Sequence, residues 1–118
     1  MLLGMTQGNC PTVLVRALGL TAANSSIILP ANAVIDFIVL INNNANAVTG
    51  GLKIGTTLAG SDIVAAQAVA GNSINVVSDA ALLKRMFSQT ATQQIFVDAV
   101  GAWNSANVDL KICYSQFS

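Results

Sequence analysis

Val34-Ile35-Asp36-Phe37-Ile38-Val39-Leu40-Ile41 runs directly into Asn42-Asn43-Asn44-Ala45-Asn46-Ala47-Val48-Thr49-Gly50-Gly51. The first stretch is short, β-branched and apolar at every position except Asp36, which reads as a strand in the middle of a sheet. The asparagines of the second stretch can bond their own backbone and tolerate positive φ. The two glycines then permit a turn before Leu52-Lys53-Ile54. The same alternation of apolar run and turn-forming gap recurs in both directions at intervals of about ten residues, the pattern of an all-β sandwich or barrel. Strands are expected over residues 12–20, 26–29, 34–41, 52–54, 73–77, 94–100 and 108–115. Residues 62–69 fit both helical and strand spacing and are read as an eighth strand. Asp79 is placed to cap about two helical turns over residues 80–86, the best helix-forming stretch in the chain. The last two strands are expected to form a hairpin through residues 101–107. The whole is one domain over residues 12–118, preceded by an N-terminal arm at residues 1–11.

Alternation along the strands assigns faces. Val108, Leu110, Ile112 and Tyr114 face one way, with Asp109, Lys111 and Cys113 on the other side. The run at 34–41 is different: strict alternation puts Ile35, Phe37, Val39 and Ile41 on one apolar face, and Val34, Ile38 and Leu40 on a second around Asp36. A two-layer fold buries one of these, so the other needs a cover, and another chain is the expected one. Val34, Asp36, Ile38 and Leu40 are therefore candidate interface residues. Met1, Leu2, Leu3 and Met5 join them as the apolar part of an arm laid on a neighbour.

Composition narrows the chemistry. The chain has no His, five acidic residues that are all Asp, five basic residues and zero net charge. No long-range field keeps copies apart, which suits a subunit packed among others. Without His, no serine or threonine has its usual activating base, and zinc loses its commonest ligand. Each Asp stands alone in a strand or turn, so no carboxylate pair is set up for glycoside cleavage. The Asn-rich loop carries no carboxylate for a calcium site. The chain is thus not expected to be an enzyme, and neither a metal nor a cofactor is expected. Lys84-Arg85 is the single adjacent basic pair, too little for nucleic-acid binding. The apolar run at 33–41 is about half of what a membrane helix needs. Met1-Leu2-Leu3-Gly4-Met5 lacks the basic start of an export signal, and reduced thiols are expected at Cys10 and Cys113.

Trp103 lies in a loop among Asn104, Ser105 and Asn107. It is read as a plug at the end of the sandwich or at a subunit junction, its ring N–H satisfied by a backbone carbonyl. The rival reading is a platform for a sugar ring. Arg16, Asp36 and Asp98 lie within apolar strands and are expected to form charge pairs.

Three segments carry a resemblance: Asn46-Ala47-Val48-Thr49-Gly50-Gly51-Leu52-Lys53-Ile54-Gly55-Thr56-Thr57, Asp79-Ala80-Ala81-Leu82-Leu83-Lys84-Arg85-Met86-Phe87, and Ala99-Val100-Gly101-Ala102-Trp103-Asn104-Ser105-Ala106-Asn107-Val108. Across residues 26–115 the chain resembles a small domain of structural proteins in tailed bacteriophage virions, such as head fibres and capsid decoration proteins. The resemblance implies a jelly-roll-like β-sandwich, commonly a homotrimer. Its partners would be copies of itself and the major capsid protein, and it would be made in the host bacterial cytoplasm and carried on the capsid surface. The segments are turns and core pieces, so no catalytic residue comes with them. With no long stalk in the sequence, a decoration or cement subunit is expected ahead of a complete fibre. The alternative is a receptor- or carbohydrate-binding module of a phage appendage, using Trp103 and the Asn-rich loop.

Overall fold

Runs of Val and Ile take extended backbone because their branched side chains pack well on a pleated surface, and the Gly, Asn and Ser gaps turn the chain. The computed structural model describes residues 13–116. Its strands are β1 (Val13–Leu20), β2 (Asn24–Leu29), β3 (Ala33–Asn42), β4 (Leu52–Gly55), β5 (Val64–Gln67), β6 (Ile74–Val77), β7 (Gln93–Ala99) and β8 (Val108–Gln116), with one 3-10 turn at Asp79–Ala81. They form two antiparallel four-stranded sheets, β1–β8–β3–β6 and β2–β7–β4–β5. This is the strand order of a jelly roll: the chain crosses between sheets after nearly every strand, which brings its two terminal strands together as neighbours. The inner faces meet in one core containing Leu29, Ile35, Ile38, Leu40, Leu52, Ile54, Ile95, Leu110 and Ile112.

Three expectations are corrected. The first concerns the faces of β3, where a β-bulge interrupts alternation: Ile35 pairs with Tyr114 but Phe37 pairs with Cys113, leaving Asp36 as the extra residue. Parity inverts across the bulge. Ala33 and Ile35 point inward before it, and Ile38 and Leu40 point inward after it. Ile38 and Leu40 are thus fully buried core residues, and the face they were expected to offer a partner belongs to Val39 and Ile41.

The second correction is topological. β7 and β8 lie in different sheets and form no hairpin. Residues 101–107 are drawn toward the Asn-rich loop instead, with Thr49 bridging Ala102 and the N–H of Thr49 donating to the Ala102 carbonyl at 2.9 Å.

The third concerns the helix, which is confined to the single turn at Asp79–Ala81. Beyond it Leu82 is extended, the N–H of Leu83 donates to the Ile63 carbonyl, and the Arg85 carbonyl accepts from Ile35. Helix propensity favours such a stretch by only a few tenths of a kcal/mol per residue, and partners offered by β3 and the 56–63 loop outweigh it.

Candidate assembly surface

The outward face of β1–β8–β3–β6 is built by register. Val39 stands beside Val76, and Ile41 beside Ile74, so the inverted side of β3 and the edge strand β6 make a continuous apolar strip. Phe37, Val39 and Ile41 are half-buried, whereas Ile74 is 72% exposed and Val76 59%. On the other side of the strip Lys111 lies between Val39 and Arg16. Arg16 and Lys111 are like charges placed directly opposite one another, an arrangement that an acidic group on a partner would relieve. Asp109 is engaged locally, its Oδ1 accepting the Gly19 N–H at 2.8 Å where β1 becomes irregular.

Of the residues singled out in the sequence, Met1, Leu2, Leu3 and Met5 lie outside the described residues, as does the whole of the 1–11 arm. Val34 is half-buried and pairs with Met86, beside a hollow of about 230 Å³ lined also by Asn32, Phe87 and Gln89. Asp36 is half-buried at the bulge, where the Ser115 hydroxyl donates to its Oδ2 at 2.8 Å. Ile38 and Leu40 are core. The pair that replaces them, Ile74 and Val76, was legible only as a short strand; its edge position follows from topology.

Trp103 is half-buried and packs against the core. Its Nε1–H donates to Asp98 Oδ1 at 2.9 Å, so a carboxylate satisfies the ring where a backbone carbonyl was expected. Asp98 also accepts the Ala99 N–H and stands opposite Lys53 in register. The nearby asparagines tie two loops together. Asn43 Nδ2 donates to Asn107 Oδ1, Asn44 Nδ2 to the Ser105 carbonyl and Asn104 Nδ2 to the Ala47 carbonyl. Asn42 is buried at 2% exposure, with Nδ2 donating to the carbonyls of Asn46 and Ala70 and Oδ1 accepting the Asn44 N–H. A fully satisfied buried amide of this kind fixes the exit of β3.

Asp62 closes the loop after β4. Burial pushes its carboxyl up, but the Thr56 hydroxyl and N–H, the residue's own backbone N–H and the charge of Lys84 together hold it below the ordinary aspartate value. The Arg85–Asp79 pair, 3.6 Å apart, is largely solvated and contributes little.

Cys113 overturns the expectation of reduced thiols: it is disulfide-bonded and only 1% exposed. The sequence contains one other cysteine, Cys10. The jelly roll places β8, which carries Cys113, beside β1, the first described strand.

No family model, curated protein or solved structure matches the chain.

Proposed function

We propose that the chain is a structural virion protein, a capsid decoration or head-fibre subunit that oligomerises as a trimer and binds the outside of a bacteriophage capsid. The observation that carries the reading is the apolar strip of Val39, Ile41, Ile74 and Val76 on an outward sheet face. Its exposed members gain roughly 1.5–3 kcal/mol each when removed from water. Zero net charge lets copies approach at little electrostatic cost. The Arg16–Lys111 pair beside the strip suits an acidic surface, and the resemblance of the segments at 46–57, 79–87 and 99–108 to phage structural proteins supports the setting. A disulfide at Cys113 fits an address outside the reducing cytosol, such as a particle surface, with the bond closing after synthesis. The mechanism is mass action: a subunit that binds only the assembled shell stabilises that state by the free energy of its binding.

Cryo-electron microscopy of the particle carrying this chain tests the proposal. Density for the jelly roll at three-fold or quasi-three-fold lattice points, with the β3–β6 face in contact, is the expected result. Placement at a tail tip with that face open to solvent would overturn it.

A further inference from the structure

Ile95, Val97 and Ala99 of β7 are buried, so Gln94, Phe96 and Asp98 point outward from the second sheet. Phe96 pairs with Gly55, which brings no side chain to cover the ring on the β4 side. On the other side, the irregularity of β2 between Asn24 and Ile27 sets two small residues, Ser25 and Ser26, against it. The half-buried ring lines a hollow of about 130 Å³ together with Asn24, Ser25, Leu58 and Asp98. A cavity of about 150 Å³ accepts one six-membered ring, so this hollow seats most of such a ring against Phe96. Leu58 stands at its rim 80% exposed, an apolar side chain that the subunit itself leaves uncovered.

Two of the lining residues keep unspent polar groups. Asp98 Oδ1 accepts the Ala99 N–H and the Trp103 Nε1–H, but among the described residues nothing donates to its Oδ2. Asn24 Oδ1 accepts the N–H and the hydroxyl of Ser26, while its Nδ2 donates to no described residue. The amides of Asn43, Asn44 and Asn104, by contrast, are spent on tying two loops together. A free carboxylate oxygen accepts hydroxyl protons, a free amide donates to hydroxyl oxygens, and an aromatic face takes the C–H side of a sugar ring. A cationic ligand suits Asp98 less well, because Lys53 stands opposite it in register.

We infer that the outward side of β7 is a binding site for a neutral saccharide, one pyranose ring resting on Phe96 with its hydroxyls held by Asp98 Oδ2 and Asn24 Nδ2. Leu58 packs against the edge of that ring. The site lies on the sheet that does not carry the Val39–Val76 strip, so it stays open when the strip is covered. The inference stands independently of the virion reading.

Nuclear magnetic resonance titration of the nitrogen-15-labelled full-length protein with the methyl glycosides of glucose, galactose and mannose tests it. At least one glycoside should give saturable shifts at the Asn24 side-chain amide and the Phe96 backbone amide, with Ile74 unmoved. Phe96→Ala should weaken that binding by at least about tenfold. Leu58→Ala, at a position too exposed to matter for folding, should weaken it by about threefold or more and keep the wild-type melting temperature. This second variant guards against a Phe96→Ala protein with a loosened β7. No saturable shift at Asn24 with any of the three glycosides would overturn the proposal, and so would affinity that neither substitution changes. Shifts centred on Trp103 and the Asn-rich loop would overturn it equally. Methylguanidinium binding more tightly than every glycoside would assign the hollow to a cationic side chain and overturn the saccharide.

Discussion

At the scale of single residues, polar groups in this protein work by being locally satisfied, and their substitution should report on folding. Trp103 packs against the core and donates to Asp98, but it is only half-buried. Trp103→Ala is expected to cost about 2–3 kcal/mol, at or below the range for an emptied aromatic site. For a domain of this size that lowers the melting temperature by about 10–20 °C, measurable by calorimetry. A variant that melts like the wild type would show that the ring is a free platform, and glycan binding would then be the next assay. Asp62 gives a prediction in pH. Its folded-state value lies below the ordinary 3.8, so its contribution is complete above that value and is lost as pH falls through the lower one. Urea midpoints of wild type and Asp62→Asn should differ at neutral pH and converge as the solution is acidified well below the ordinary aspartate range, through the lowered value. A gap that persists in strong acid would mean the loop is held by something other than the carboxylate.

At the scale of elements, glycines at the rims decide where strands are allowed to meet. Gly51 has φ of 84°, and a Cβ there would lie 2.5 Å from the Gln67 carbonyl oxygen, at the point where Leu52 pairs with Gln67. Gly51→Ala combines left-handed strain with a backbone clash and should destabilise by at least about 2 kcal/mol. Loss of amide protection in β5 ahead of global unfolding, followed by hydrogen exchange, would locate the damage; unaltered protection there would refute it. The strands themselves were legible because each is a short apolar run between turn residues, and all eight lie where that pattern places them to within two residues. The inverted face of β3 was not legible. A bulge adds one residue without any composition of its own, and Asp36 reads equally well as a charged position in a regular strand. The helix at 80–86 failed for a related reason, since the backbone partners at Ile63 and Ile35 that extend it are distant in sequence. The apolar strip shares this limit: Val39 and Ile41 become outward only through the bulge, and Ile74 and Val76 join them only through the crossing of β6 to the first sheet.

At the scale of the molecule, the fold closes on itself where β1 lies beside β8, and Cys113 on β8 is disulfide-bonded. A native disulfide usually contributes about 2–4 kcal/mol. Reduction should therefore lower the melting temperature by about 10 °C or more while the far-ultraviolet spectrum stays that of a β protein. An unshifted melt would mean that strand pairing alone holds the ends. The remaining prediction concerns association. An exposed Ile and Val on an edge strand, continuous with two more apolar side chains, add nothing to the subunit's own core, so changing them should leave folding intact. Val76→Asp is expected to keep the wild-type melting temperature to within a few degrees and to weaken self-association by at least about tenfold, since an aspartate buried opposite Val39 would lack a partner. Ile38→Lys makes the contrast: Ile38 is fully buried, so that substitution should prevent folding altogether. Sedimentation of the two variants separates the roles of the two sides of β3. A Val76→Asp protein that assembles like the wild type would remove the β3–β6 strip as the assembly surface.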